Sequence, residues 1–496
     1  MNYYIGVDIG TTSTKAVAFS DDGEVLAKEA IGYAIQHPQP DRSEQDPDEI
    51  FEAVISSISK ITATLYSHKP VLISFSAAMH SILAVDIAGK PLTHCIIWAD
   101  NRAGDTAAQL RKSSRGNDFY HATGVPIHAM SPLCKLLWMK ENNREVFQQA
   151  YKFIGIKEYI FFRLFGKYLV DTAIASATGL LNIHTLQWDK NVLDYAGISQ
   201  QQLSEVTAAI HKEFLSGKNE YAGDSVLAKL TETAFIIGGS DGALANLGSG
   251  ATDENSMAIT IGTSSAVRIV ITAVHTDEQM RTFCYHLAGS SYIIGGASNN
   301  GAVVLQWLKD TLLQTQDTHE QLFSEAAGIA AGCNGLLFIP YILGERAPVW
   351  NSGAKGVFFG LDITHTRAHL IRSAMEAVVY CVYSIGKILM EERTITEIHA
   401  TGGFTQSPLW LQMLSDMFNC TVRVSEAVES SALGAVKIGM AAMGIPKPGL
   451  SKTTQTYTPD KCLHTVYIEQ AGNMQRIYEV LKKEMTRNIN MVSLPS

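Results

Sequence analysis

The chain has 496 residues, of which 46% are hydrophobic and 18% charged, with 14 Pro and 39 Gly. That composition excludes disordered, collagen-like and low-complexity chains, and the length suits two large domains or roughly three of about 150 residues. Lys and Arg total 39 against 48 Asp and Glu, a net charge of −9, so an acidic chain without long basic runs is a poor match for nucleic acid or an anionic membrane.

The start, MNYYIGVDIG, lacks the basic, apolar and small-residue zones of a secretory signal. Residues 3–9 and 14–20 are apolar and β-rich around a polar turn, and Asp21-Asp22-Gly23 is a hairpin signal before a third strand over 24–30. Asp46 can cap a helix whose first position suits Pro47. Phe51, Val54, Ile55, Ile58, Ile61 and Leu65 then recur at helical spacing. Residues 71–75 and 82–87 read as further strands, so a mixed α/β sheet is expected. The uncharged run 326–343 reaches membrane length, but Gly328, Gly332, Asn334, Gly335 and Pro340 split it into a helix end, a turn and a short strand. The seven cysteines are scattered, with no metal-ligand or redox spacing, which predicts free, mostly buried thiols in a reducing compartment. A cytoplasmic protein is expected.

An internal echo organises the chain. VDIGTTSTKAVAF (7–19) resembles ITIGTSSAVRIVI (259–271), with Gly10 matching Gly262 at an offset of 252 residues, about half the length. Two related domains are predicted, 1–247 and 248–496, with the polar stretch 248–256 at their seam. Thr260 stands where the first copy has Asp8, so the copies cannot do identical chemistry.

In the first copy Gly10 permits a tight turn whose N–H groups can converge on a phosphate. Thr11, Thr12 and Ser13 add hydroxyls, Lys15 adds charge, and Asp8 is placed to hold the water shell of Mg²⁺. A plain hairpin would favour the same residue types. No P-loop or Gly-x-Gly-x-x-Gly motif is present. The run 235–243 reads as strand, glycine turn and helix start, putting the Asp241 carboxylate where it can act as general base or merely cap the helix. Gly238-x-Ser240-x-Gly242 also fits a nucleophile elbow, with Asp362 and His399 in the order a hydrolase needs, but no His-Gly-Gly oxyanion segment lies upstream. Gly402-Gly403, after a predicted strand and before a helix over 408–418, would let a flat ring or phosphate approach the backbone. The small residues of 429–435 suit close helix packing. His365 and His369 are four apart, but Thr366 and Arg367 between them break the zinc-protease pattern, leaving surface or capping histidines. His80 follows a strand, and with Trp98, Asp100 and Arg102 it forms a polar and aromatic cluster suited to a polyol.

Two long segments then carry a resemblance. Residues 130–142 (MSPLCKLLWMKEN), and 356–361 (GVFFGL) with 369–376 (HLIRSAME), are similar to the two signatures of the FGGY carbohydrate kinases, and the likeness runs from Tyr4 to about Gly444. The resemblance implies two ribonuclease-H-like domains of the actin and hexokinase superfamily, with mixed sheets flanked by helices and ATP and sugar in the cleft between them. Under it the first domain holds sugar and the first phosphate loop, and the second holds the second phosphate loop and the adenosine. Gly262, Thr263 and Ser264 become the second loop, Asp241 the catalytic base and a support for Mg²⁺, and Gly402-Gly403 with Ser407 part of the adenosine site. Ala302 and Gln306 fall near positions that line the nucleotide. Met79, His80, Trp98, Asp100, Arg102, Met130 and Gly242 become the sugar-binding set. The segments 75–81 and 98–102 look most like gluconate kinases, so the expected reaction is ATP-dependent phosphorylation of gluconate, with Arg102 or Lys135 meeting the carboxylate. Xylulose or another polyol is the alternative within the family. An actin- or chaperone-like ATP-binding protein and a hydrolase using Ser240 are the alternatives outside it. The expected partner is a small sugar or sugar acid, without nucleic acid or membrane, and a homodimer is compatible with the sequence.

Overall fold

The computed structural model describes residues 2–216, 227–425, 429–446 and 453–485. The chain forms two compact units, Met1–Asp253 with Val270–Ile294 and Ala427–Lys452, and Glu254–Ile269 with Gly295–Glu426 and Thr453–Ser496. The first switch falls inside the polar stretch 248–256, and two later excursions of the chain, Val270–Ile294 and Ala427–Lys452, join the first unit. Packing explains the second excursion. The helix Ser430–Ala442 is apolar nearly all round, and Ala432, Leu433, Val436 and Ile438 are buried with Tyr4, Val17, Leu72 and Ile236. The small residues do what their size suggests: a Cβ on Gly434 would stand 2.0 Å from the Leu244 carbonyl oxygen, so this helix meets Asp241–Ser249 backbone to backbone.

The first unit is built on a six-stranded sheet in the order Lys212–Glu213, Ala234–Ser240, Leu72–Ala77, Tyr4–Ile9, Ser13–Phe19, Val25–Gly32. Tyr4–Ile9 is antiparallel to Ser13–Phe19 and parallel to Leu72–Ala77, which is parallel to Ala234–Ser240. The helix Pro47–Thr64 starts as its caps predict, with the Asp46 carboxylate accepting the N–H groups of Asp48 and Glu49. Its face of Ile50, Phe51, Val54, Ile58 and Ile61 is buried on the sheet. The strand expected over 82–87 is shorter, Leu83–Val85, and pairs with Lys152–Ile154 outside the main sheet. It stops early because the Asp86 carboxylate accepts the N–H groups of Ala88 and Lys90 and bends the chain into a turn.

The second sheet has seven strands in the order Phe283–Ala288, Ser291–Ser298, Ser265–Ile271, Ser256–Ile261, Glu397–Thr401, Thr421–Ser425, Thr453–Tyr457. Ser256–Ile261 is antiparallel to Ser265–Ile271 and parallel to Glu397–Thr401, which is parallel to Thr421–Ser425. The echo is therefore structural. In both sheets the hairpin's first strand is antiparallel to its second and parallel to a later strand, which is itself parallel to a further one. On the other side of the hairpin they differ, since Val25–Gly32 is the edge of the first sheet whereas Ser291–Ser298 and then Phe283–Ala288 extend the second. The copies differ by one residue in the turn: Ile9 pairs with Thr14, whereas Ile261 pairs with Ser265. Asp8 consequently faces Lys15 across the first hairpin, while Thr260 faces Ala266 across the second.

The run 326–343 is indeed divided, into the end of the helix His319–Ala327, the turn Cys333–Gly335 and the strand Leu337–Pro340. No helix among the described residues is long and apolar enough to cross a membrane. All seven cysteines are free, six of them buried and Cys462 exposed.

A β-bulge marks the strand that leads to Asp241. Ile236 lies opposite Ser74 and Gly239 opposite Ser76, so two residues, Ile237 and Gly238, share the place facing Phe75. Gly238 has φ +68°, and a Cβ there would stand 1.9 Å from the Phe75 carbonyl oxygen. The left-handed conformation alone costs a non-glycine residue about 1–2 kcal/mol, and the backbone overlap adds to it. Gly238→Ala should therefore lose at least about 2 kcal/mol in urea unfolding, and an unchanged midpoint would show that the bulge relaxes freely.

Candidate active site

Across the three parallel strands of the first sheet, Asp8, Ser76 and Gly239 share one level, and Ile9, Ala77 and Ser240 share the next. Asp241 follows at once, as the first residue of the helix Asp241–Ser249. The sheet thus brings two carboxylates from residues 233 positions apart in sequence to the carboxyl ends of the two strands that flank Leu72–Ala77. The Ser76 hydroxyl donates to Asp8 Oδ1 at 2.9 Å, and the Gly242 N–H donates to Asp241 Oδ1 at 2.6 Å. Burial, and next the negative charge of Asp241, push the Asp8 carboxyl from its ordinary 3.8 up to about 6, although Ser76 and Lys15 pull the other way. Glu429 adds a further push upward.

The first turn is tied down from several sides. Its Gly10 N–H donates to the Ser13 carbonyl at 3.0 Å. The Tyr33 hydroxyl donates to the Gly10 carbonyl at 2.5 Å, the Gln45 amide to the Thr11 carbonyl at 2.6 Å, and the Trp98 indole N–H to Thr11 Oγ1 at 2.9 Å. Thr12 is exposed. Lys15 Nζ lies 3.4 Å from Glu429 Oε2, and the same carboxylate also binds Lys28.

The expected sugar-binding residues cluster near this turn, in two distinct states. Trp98 touches the turn itself. His80, buried and at φ +68°, places Nδ1 2.8 Å from the Ala177 carbonyl, to which that nitrogen donates. Its ring meets the Tyr285 ring edge-on at 5.8 Å. Met79 packs partly buried against the first unit's core. The buried Met130 donates its N–H to His128 Nδ1 at 3.2 Å. Asp100 and Arg102, in contrast, hold each other. Arg102 Nε and Nη2 donate to the two Asp100 oxygens, each at 2.8 Å, Nη2 also binds Glu44, and the guanidinium lies 5.2 Å over the Trp138 ring. Asp100 also accepts the Ser43 N–H at 2.7 Å. Lys135 is completely buried, and its ammonium donates to the carbonyls of His80 at 2.7 Å, Ile97 at 2.8 Å and Ile96 at 3.4 Å. Burial brings its pKa from 10.5 down to about 7, against the opposing pull of Asp100. Three donors on three carbonyls leave Lys135 none for a substrate carboxylate, and Arg102 is already neutralised by Asp100 and Glu44. Of the two cations expected to meet a carboxylate, Lys135 therefore braces the backbone and Arg102 the carboxylates of Asp100 and Glu44.

In the second unit the Gly262 N–H closes its turn on the Ser264 carbonyl at 2.9 Å. The Ala302 N–H donates to the Gly262 carbonyl at 2.7 Å, and the Gly301 N–H to Thr263 at 3.2 Å. Gly402 packs on the backbone of Ile261, and Thr260 bonds Thr401 at 2.9 Å. Gly262, Thr263, Ser264, Ala302 and Gly402-Gly403 are thus brought together at one end of that sheet. Gln306 is exposed and bonds Asp310. Ser407 is buried, where its hydroxyl accepts the Trp410 N–H at 3.3 Å and caps the helix Pro408–Phe418. The His369 ring likewise accepts the Thr366 N–H, and the His365 ring the Asp362 N–H, as capping histidines do. The hydrolase reading finds no support. Ser240 is 1% exposed, His399 pairs with Glu397 at 3.0 Å, and Asp362 accepts from Thr364.

Five residues near the first-unit site escape sequence reasoning: Gln45, Ser76, Lys157, Tyr285 and Glu429. Each acts through a partner distant in sequence. Only Ser76, one residue beyond a predicted strand and level with Asp8, had a local signal.

Two sheets, each with an antiparallel hairpin beside two parallel strands and a glycine- and threonine-rich turn at that hairpin, define the ribonuclease-H-like class of the actin and hexokinase superfamily. The chain belongs to the FGGY family of carbohydrate kinases, whose N-terminal domain matches residues 3–248 and C-terminal domain residues 257–443. It is therefore a phosphotransferase that acts on a sugar alcohol group with ATP. The chain is 45% identical to a gluconokinase of Bacillus licheniformis over 456 residues, 89% of this chain and 88% of that one. Among solved structures it resembles a ligand-bound xylulose kinase from Lactobacillus acidophilus, with TM-score 0.93 and 33% identity over 97% of this chain and 99% of that one. A gluconate kinase from the same organism gives TM-score 0.92 and 33% identity over 97% and 98%.

The two carboxylates fit a divalent cation that keeps most of its water. The described residues contain no group of three or more His, Cys, Asp or Glu able to cage a metal, and Mg²⁺ characteristically takes one or two carboxylates plus substrate phosphates. The proton affinity of Asp8 is itself testable. Its raised pKa means that the folded chain holds the proton more tightly than the unfolded one. The associated stability is complete below about pH 4 and is lost as the pH rises through about 6. Asp8→Asn should melt above the parent protein at pH 8, in the absence of divalent cations, and by a smaller margin at pH 4.5. Equal margins would mean that the carboxylate carries no such load.

Proposed function

We propose that the protein transfers the γ-phosphoryl group of ATP to the terminal hydroxyl of gluconate, giving 6-phosphogluconate. The observation that carries this reading is the convergence of Asp241 and Asp8 beside the Thr11–Trp98 contact, in a chain 45% identical to a gluconokinase over most of its length. Asp241 accepts the hydroxyl proton as the sugar oxygen bonds to the γ-phosphorus and the bond to the ADP oxygen breaks. A carboxylate at a helix start, held by the Gly242 N–H, is fixed in place to take that proton. Thr11, Thr12 and Ser13 offer hydroxyl and N–H donors to phosphate oxygens, and Lys15 exchanges Glu429 for phosphate charge. Gly262, Thr263 and Ser264 offer a second set of donors, and Gly402-Gly403 a flat approach for adenosine. Asp8 and Asp241 would hold Mg²⁺ through water, and bound there it would neutralise charge on the transferring group. Met79, His80, Met130 and Trp98 form the sugar side. Asp100 and Arg102 keep the Trp98 segment in place.

Asp241→Asn keeps size and removes the base, so kcat should fall by about 10²–10⁴ while gluconate and ATP affinities change little. Near-normal turnover in a coupled ADP assay would end the base assignment.

The likeness to a solved xylulose kinase makes xylulose the second reading. In a panel of gluconate, xylulose, ribulose, glycerol and fuculose, gluconate should lead in kcat/KM by at least about tenfold, or 1.4 kcal/mol of transition-state discrimination. A higher value for xylulose would keep the family and the base and reject the substrate.

A further inference from the structure

Lys157 is the second residue of the helix Ile156–Phe165, a surface-type side chain at a position where local sequence gives no reason for burial. It is only 2% exposed. Its ammonium donates to the Ile237 carbonyl at 3.1 Å and the Gly239 carbonyl at 2.9 Å, and pairs with Asp171 Oδ2 at 2.5 Å. Those carbonyls belong to the residues immediately before and after Gly238, the left-handed residue of the bulge. Asp171 is fully buried and is itself fixed, because its other oxygen accepts the N–H groups of Ala173 and Ile174 at 3.0 Å and caps the helix Thr172–Ser176. One ammonium thus spans the bulge and ties it to a helix end that cannot shift.

We propose that Lys157, held by Asp171, is a positioning residue for the phosphoryl transfer: it clamps the bulge at Gly238 so that Asp241 leaves the strand in register with Asp8. The inference rests on Asp241 being the base. A bulge is the one place where this strand can slip by a residue, and a slip would turn the chain beyond it to the other face of the sheet. The carbonyls of Ile237 and Gly239 fix the slip on both sides, two residues before the carboxylate that has to meet a substrate proton. Lys157 touches neither phosphate nor sugar in this reading. Its effect should appear in the chemical step and not in binding. The ammonium also attracts the Asp241 carboxylate through space, which adds to the hold without carrying it.

A purely structural pair would cost stability and nothing specific, so the test has to separate the two. Lys157→Met with Asp171→Asn removes both charges together and leaves no unpaired buried ion. With folding verified by circular dichroism and the melting temperature, the full-length double variant should keep KM for gluconate and for ATP–Mg²⁺ within about threefold. Its kcat should fall by about 10- to 100-fold, the scale on which a misplaced catalytic group acts. Adding Asp241→Asn to that background should then cost much less than it costs in the parent, because a displaced base has less to lose. Should the double variant be unfolded, Lys157→Gln gives the same readings, since its neutral amide is one bond too short to reach both carbonyls while staying able to hydrogen-bond. A folded variant with kcat within threefold of the parent overturns the proposal, and so does a full Asp241→Asn penalty in both backgrounds. Failure of the base reading is distinguishable, because it shows in the Asp241→Asn single variant before Lys157 is touched.

Discussion

Two carboxylates that repel each other have to be kept close together, and much of the first unit serves that requirement. Asp8 stands at the end of one strand and Asp241 just beyond the end of another, with a third strand between them contributing Ser76. Burial first, and that repulsion next, make Asp8 reluctant to lose its proton. Against it the fold sets hydrogen bonds to each carboxylate, a lysine on the opposite strand of the hairpin, and the inflexible geometry of a parallel sheet whose strand ends cannot drift apart. A cation bound between the carboxylates, as proposed, would turn the same arrangement from a burden into a binding site, the ordinary logic of a site kept ready for its ligand.

The two sheets show how one architecture is given two chemistries. Their hairpins share glycine, threonine and serine, the residues that make a donor-rich turn. The first adds Asp8 and Lys15, facing each other, where the second has Thr260 and Ala266. The facing carboxylate and ammonium are thus confined to one copy, and the other pairs a hydroxyl with a methyl at the same place. The long sequence signatures, by contrast, are largely structural. Lys135 in the first braces three carbonyls, and in the second Arg372 and Glu376 form a buried pair at 2.8 Å within the helix Arg367–Leu389.

What could be read from the sequence follows the range of the interactions involved. The hairpin strands and the helix Pro47–Thr64 were legible because their turns, caps and periodicity are local, and the helix Pro408–Phe418 appears with the bounds its punctuation predicts. The echo between the turns was legible, but the one-residue difference between them was not, since it depends on which residues pair. Asp241 could be singled out as a carboxylate at a strand-to-helix turn. The bulge that aims it could not, and neither could the burial of Lys135, Lys157 and Arg102. A charged side chain reads as solvated until its partners are known, and Glu44, Asp100, Asp171 and the strand carbonyls lie anywhere from 2 to 82 residues away. The shortened strand at Leu83–Val85 has the opposite cause, a local turn at Asp86 that outweighs an apolar run.

The helix Ser430–Ala442 has a consequence for the order in which the protein is made. It covers the apolar face formed by Tyr4, Val17, Leu72 and Ile236, yet it leaves the ribosome some 180 residues after the helix Asp241–Ser249 that it packs against. At about 5–20 residues per second that delay amounts to roughly ten to forty seconds. During it the earliest-made strands carry an uncovered hydrophobic surface. The beginning of the chain is thus among the last parts to reach its finished core, and the nascent protein depends on chaperones, or on speed, until its own distant segment arrives.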